Sequence, residues 1–384
     1  MKFLPLVWRS LMRRKVRTLF TALSILVAFL LFGALMALRV SFGMGIELAG
    51  ADRLMMIHRV ALIQPLPRSY QGRIESTDGV SAVTHASWFG GIYQDPKNFF
   101  AQMAVEPESW LQMYPEFVLT PEQRRTWVAD RTGAIVGRSL ANRFGWKVGD
   151  RVPIQGTIFR TPNNAPWTFT IDGIYEGATQ STDTTQMFFH YAYLNETRSF
   201  GKDWVGWYVV RVADPPQSED VARRLDALFA NSPTETKTST EKAFVQAFAK
   251  QIGDIGSILL AVLGAVLFTM LLVAANTMAQ AVRERTSELA VLKTLGFTDA
   301  HLLALVLLES VLLAVIGGGA GLFLAWLIVR RGDPTGGLLA VFYLPPRDLL
   351  VGVALIVGLG IAAGLLPAWQ ASRLRIVDAL RRQG

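Results

Sequence analysis

"RERTSELAVLKTLGF", residues 283–297, is a charged stretch between two long apolar runs, Ile255–Val282 and Leu302–Val329. Leu289, Leu292 and Leu295 recur every three residues, while Arg283, Arg285 and Glu288 gather at its front. Gly296 fits the position just past a helix C-terminus, and Thr298 fits the N-cap of the next helix. The chain is therefore expected to leave one apolar run, form a short helix over 283–295, and turn at once into another run. Its apolar face has no large segment of this chain to cover it. That leaves lipid or a groove on a partner, and the acids and scarce aromatics favour the partner.

The flanking runs belong to a set of four, with Leu19–Leu38 and Leu349–Leu366, in a chain that is 51% apolar. A membrane-spanning helix needs roughly 20 apolar residues. The expected fold class is a polytopic α-helical membrane protein with four transmembrane helices and a large α+β domain inserted between the first and second. The first run follows a basic segment, as a signal peptide does. It exceeds the roughly 7–15 residues of a secretory h-region, however, and reads as an uncleaved span.

Charge sets the expected orientation. The segment before the first run, the 283–299 stretch and the tail after the last run hold 13 bases and 4 acids, a net +9. Residues 40–255 hold 21 bases and 23 acids, a net −2. The positive-inside rule then puts both termini and the 283–298 stretch in the cytoplasm and the large domain outside, in a cell inner membrane. Arg330, Arg331 and Arg347 in the third connection run against this trend. No folded domain is basic, so nucleic acid is not expected as a partner. With no cysteine there is no disulfide framework or thiolate chemistry.

Leu4, Val7, Trp8, Leu11 and Met12 share one helical face and Arg9, Arg13 and Arg17 another, as in a helix lying in the membrane interface. Beyond Phe42 the composition is that of a soluble domain. "GAIVGRSLANRFGWKVGDRVPI" reads as a strand at Ala134–Val136, a helix at Arg138–Phe144, a glycine turn and a second strand. "WTFTIDGIYEG" alternates as a strand, and "WVGWYVVRVADPPQSED" reads as a strand, a Pro-Pro turn and a helix from Ser218. Phe244, Phe248 and Ile252 line one face of a helix that leads into the second span without a breaker, a rigid stalk where a linker would be rich in Gly, Ser or Pro. Gly317/Gly321 and Gly360/Gly364 have the spacing of close helix contacts. Glu309 is the acid well inside a span, placed where it can reach a neighbouring helix or the interface.

No GxxxxGK[ST] loop, HExxH helix or GxSxG elbow occurs, and His58, His85, His190 and His301 are scattered. No catalytic residue, metal site or cofactor is expected.

The stretches "LMRRKVRTLFTALSILVA", "GAIVGRSLANRFGWKVGDRVPI", "VRERTSELAVLKTLGFTDAHLLALVLLES" and "PAWQASRLRIVDALRRQG" resemble permeases of the MacB/FtsX/LolC group of ABC transporters. Residues 43–127 match no such pattern. The resemblance implies a stand-alone permease, with a coupling helix whose Arg283, Arg285, Glu288, Leu289, Leu292, Lys293, Leu295 and Gly296 meet a separate cytosolic ABC ATPase. Glu288, Leu292 and Lys293 would lie at the docking surface, and ATP would be bound by the partner. It implies a second permease copy or a paralogue, and for an efflux pump a periplasmic adaptor and outer-membrane channel. The implied activity is export or extraction driven through the stalk. The alternative is an FtsX-like transducer that switches an outside hydrolase or sensor. The expected layout is an interfacial helix at 1–18, TM1 at 19–41, a periplasmic α+β domain at 42–240, and stalk with TM2 at 241–282. The coupling helix at 283–298, TM3 at 299–329, a short outer loop at 330–348, TM4 at 349–367 and a cytoplasmic tail at 368–384 complete it.

Overall fold

The computed structural model describes residues 13–43, 50, 52–252, 255–332 and 342–373. Leu4, Val7, Trp8, Leu11 and Met12, the join at 253–254, the connection at 333–341 and the tail beyond Arg373 lie outside them. Among the described residues two units emerge, one helical, from 13–40, 255–332 and 342–373, and one α+β, within 41–252.

The first helix, α1 (Lys15–Gly43), carries the first apolar run. The inserted domain begins with β1 (Arg53–His58), β2 (Leu66–Pro67), α2 (Gln71–Glu75), β3 (Val80–Trp88), β4 (Gly91–Ile92) and β5 (Gln102–Val105). Next come α3 (Pro107–Met113), opened by a proline whose missing N–H costs nothing there, and β6 (Phe117–Val118). In α4 (Pro121–Ala129) the N-cap Thr120 accepts a hydrogen bond from the Gln123 N–H. The stretch read above as strand–helix–turn–strand is β7 (Gly133–Gly137), α5 (Arg138–Phe144), a left-handed Gly145 (φ 70°), and β8 (Arg151–Gly156). The alternating stretch is β9 (Trp167–Gly177), where Asp172 is an extra residue in the ladder with β7. Then follow β10 (Met187–His190), α6 (Tyr191–Thr197), β11 (Trp204–Val205), β12 (Trp207–Val212), α7 (Ser218–Leu228), β13 (Thr236–Thr240) and α8 (Glu241–Ile252).

Ten strands form one sheet in the order β13-β1-β12-β3-β5-β10-β7-β9-β8-β4, with β6 added on β9. The β5–β10 and β7–β9 pairs are parallel; the other pairs in that order are antiparallel. Period-two alternation sends side chains to both faces. Leu54, Met56, Val136, Phe189 and Val210 pack under α2, α5, α6 and α7. Met55, Ile135, Phe188 and Val209 pack with Trp110, Tyr114 and Trp127 on the other side. The domain thus has helices on both faces of one continuous sheet, and the stalk helix α8 groups with it rather than with the second span. Phe244 of α8 packs on the second core. The side chains of Phe248 and Ile252 fall outside the described residues.

The second span is α9 (Ile255–Glu284), followed by α10 (Thr286–Thr294), α11 (Asp299–Arg330) and α12 (Pro346–Ser372). The helices bearing the four apolar runs are long and apolar enough to cross a membrane. Ile25, Phe29, Phe32 and Met36 form the inner stripe of α1, packed with Leu305, Leu313, Leu322 and Ile356. The glycine pairs mark where backbones meet. A Cβ on Gly317 would lie 2.6 Å from the Ala22 carbonyl oxygen, and one on Gly360 would lie 2.7 Å from the Val311 Cα. α9 is the least enclosed span, with 11% of its most apolar stretch buried against 33–39% for the others.

The α10 turn and the stalk base

The chain breaks helix at Arg285 (φ −109°, ψ 15°), so Arg283 and Glu284 end α9 and α10 begins at Thr286. At its other end, the Gly296 N–H bonds the Lys293 carbonyl and the Phe297 N–H bonds the Leu292 carbonyl, both at 3.1 Å. With Gly296 at φ 93° this is a Schellman stop. The Thr298 hydroxyl oxygen then accepts from the His301 N–H to start α11.

The apolar face of α10 is covered by this chain itself, contrary to the expectation that only lipid or a partner was available. Leu289 is buried among Met278, Val282, Leu302, Val306, Ala368 and Ala371, and Leu292 packs half-buried on the same group. The ends of α9, α11 and α12 converge there and supply the apolar wall. Outward stand Val291, 49% exposed, and Leu295, 72% exposed. Leu295 escapes the stripe because the helix has already stopped at it.

Of the charges that the resemblance assigns to the coupling helix, Arg285 and Lys293 turn inward, whereas the Glu288 side chain stays 43% exposed. Arg285 Nη1 lies 2.8 Å from Glu309, whose side chain is 6% exposed. Lys293 donates to the Ser372 carbonyl at 2.6 Å, capping the end of α12, and pairs with Asp299 at 2.8 Å. Glu288 pairs with Arg13 and, at 3.5 Å, with Arg285. Glu284 pairs with Arg17 at 2.8 Å and Arg14 at 3.2 Å. Through these pairs the turn is tied to the start of α1, to α11 and to the end of α12. Val291 was missed because a lone β-branched residue off the leucine stripe gives no signal in sequence.

A second cluster, unread in the sequence, fixes the stalk base. Glu241 opens α8 directly after β13 and accepts from Arg53 Nε at 2.6 Å, the Tyr114 hydroxyl at 3.0 Å and the Gly50 N–H at 3.1 Å. Arg53 Nη2 also pairs with Glu116 at 2.9 Å and stacks on the Tyr114 ring. Burial works against the Arg53 charge, but Glu241 and Glu116 outweigh it and hold the guanidinium above its ordinary range. Burial, with the Glu241 charge added, pushes the Tyr114 phenol up. The arrangement locks the start of α8 to β1 and to the segment that follows α3.

Residues 18–228 match the MacB-like periplasmic core domain family, and residues 260–376 match the FtsX-like permease C-terminal family. The chain is 24% identical over 337 residues to an uncharacterized ABC transporter permease of Methanocaldococcus jannaschii, covering 80% of this chain and 77% of that one. It is 36% identical over 108 residues to the macrolide export ATP-binding/permease protein MacB of a Shewanella species, covering 28% of this chain and 16% of that longer protein. The periplasmic region of MacB from Actinobacillus actinomycetemcomitans superposes with a TM-score of 0.37 at 11% identity, covering 53% of this chain and 95% of that one. The protein belongs to the ABC transporter permeases that combine a MacB-like periplasmic core domain with an FtsX-like C-terminal region.

Proposed function

We propose that this chain is a permease subunit that converts ATP hydrolysis by a separate cytosolic ATPase into movement of its outer domain, driving export or extraction of a substrate. The chain binds no cofactor of its own in this reading, and both termini face the cytoplasm. Two such permeases, identical or paralogous, work with two ATPases. An adaptor and an outer-membrane channel would join them if the substrate leaves through a second membrane.

The observation that carries the reading is the construction of the α10 turn. It offers Val291 and Leu295 outward, while Arg285–Glu309 and Lys293–Asp299 bind it to α11, Arg13–Glu288 to the start of α1 and the Lys293–Ser372 hydrogen bond to the end of α12. A push on this surface is passed to the spans as a rigid movement, because the contacts beneath it are buried or ionic. Such coupling requires two states of the permease with different affinity for the ATP-bound subunits.

Val291→Asp and Leu295→Asp place a charge in the docking surface without entering the chain's own core. Each is expected to weaken ATPase binding by about 2 kcal/mol, roughly 30-fold. The assay is recovery of the ATPase with tagged permease from solubilised membranes, alongside reporter fusions after Arg160 and Gly384 to read orientation. Equal recovery with correctly inserted variants means the turn rests on lipid, and a cytoplasmic signal at Arg160 overturns the whole reading.

A further inference from the structure

The second face of the outer domain's sheet is not filled. A cavity of about 1050 Å³ opens there, floored by Met55, Met103 and Trp207 and walled by Trp110, Tyr114 and Phe117. This is the upper end of the range for small-molecule sites, roughly 300–1,000 Å³. Glu241, Phe244 and Val245, from the first turns of α8, complete one wall. At its margin Ile63, Ile158, Phe200 and Trp204 remain 91%, 47%, 56% and 36% exposed. Apolar side chains gathered in this way around an opening mark a place where apolar matter is taken in.

The charge of the wall selects the occupant. Two guanidiniums and three carboxylates reach it, from Arg53, Arg198, Glu116, Asp183 and Glu241. Arg53, with its side chain 7% exposed, is shared between Glu116 and Glu241, so two carboxylates face one cation. Their side chains keep 18% and 13% exposure, more than the guanidinium between them. Arg198 is 2% exposed and shares no partner with that cluster. It donates to the Tyr191 hydroxyl, the Asn195 side-chain oxygen and the Trp204 carbonyl. The reachable charge is therefore negative and lies among Trp and Tyr rings, whose faces also attract cations.

We propose that this cavity binds a cationic amphiphile, with its apolar body on the Met55–Trp110–Trp207 floor and its ammonium group at Glu116 and Glu241. Because α8 forms one wall, the occupant touches the base of the stalk. The binding claim needs no ATPase, so it stands or falls apart from the transport reading.

The test uses the full chain in nanodiscs and a photoreactive diazirine alkylamine, with the matching alkanoate and alkanol as controls. The amine is expected to label cavity peptides containing Trp110, Trp207 or Phe244 saturably, and to slow hydrogen exchange at 241–247. Glu116→Gln should weaken that labelling about tenfold, the loss of one partly buried charge contact. Met103→Trp, which fills the floor and leaves every charge in place, should abolish it. Equal labelling by the alkanoate or alkanol overturns the choice of a cation. Labelling confined to the spans, or unchanged in Met103→Trp, overturns the site.

Discussion

Replacing Glu241 by Ala tests whether the stalk is held by the ionic lock at its base. Three donors lose their acceptor at once, namely Arg53 Nε, the Tyr114 hydroxyl and the Gly50 N–H. Breaking a buried ion pair from one side costs about 3–5 kcal/mol. Here Arg53 keeps Glu116 at 2.9 Å, which lowers the ionic part. The two neutral donors add about 1 kcal/mol each when left unsatisfied. A net loss of about 3 kcal/mol in local stability is expected, a factor of roughly 150 in the opening equilibrium. Hydrogen exchange of amides 241–247 in the membrane-embedded protein reads this directly, since local opening sets their protection. Glu241→Gln, whose one amide oxygen can replace only one of the two carboxylate oxygens that now accept from Tyr114 and Gly50, should lose less than the alanine variant. Arg53→Met with Glu241→Ala should cost less than the sum of the single changes, because each removes the other's partner. If both Glu241 variants leave protection within threefold of wild type, the lock does not hold the helix and the stalk is anchored by packing alone.

Inserting Gly-Gly after Gln246 costs about 1 kcal/mol of helix preference per glycine and adds a flexible joint. ATPase recovery should persist while substrate-dependent function is lost, and unchanged function would make the stalk a tether. Gly321→Val drives a side chain into the Leu26 carbonyl, whereas Gly358 has open space around its Cβ position. The first should lower the thermal midpoint, by about 1–3 kcal/mol in stability, and Gly358→Ala should not. Burial and Asp130 push the Asp172 carboxyl up to about 6, and burial with Arg68 pushes His85 down to about 4. The folded state holds the Asp172 proton above the unfolded carboxylate range, so that contribution falls as pH rises from about 4 to 6. His85 works in reverse: the unfolded state binds its proton between pH about 4 and 6.5, so stability rises with pH. Denaturation followed by intrinsic fluorescence should be nearly flat across pH 4–6 for wild type, rise with pH for Asp172→Asn and fall for His85→Phe. Each slope reaches up to about 1.4 kcal/mol per pH unit, and parallel slopes in the two variants would refute the assignment.

Features that depend on a few neighbouring residues were legible in the sequence. Length and apolarity gave the four spans, and alternation gave β9 from Trp167 onward. Gly296 announced the stop of α10. Which way Leu289 and Leu292 face was not legible, because the wall that buries them comes from Met278, Leu302 and Ala368, in three different helices. Glu309 reads as an isolated acid until Arg285, one helix turn outside the span, is placed beside it. Arg53 and Glu241 are separated by 188 residues, and no local pattern links them. Residues 43–127, which carry none of the motifs quoted from the sequence, supply β1, β3 and β5, and β12, from far along the chain, lies between the first two of these. Such interleaving is set by long-range pairing that single-sequence periodicity does not contain.

The inserted domain comes in on β1 and goes out on β13, and these two strands are antiparallel neighbours, with Leu54 opposite Thr240. The Gly50 N–H and the Glu241 carboxylate are 3.1 Å apart. A domain of some 200 residues thus brings its own two ends to within hydrogen-bonding distance of each other. Its termini behave like the two prongs of a plug. Swapping in another domain with adjacent ends keeps both junctions, so chimaeras that exchange residues 50–241 test whether this domain carries the proposed substrate choice.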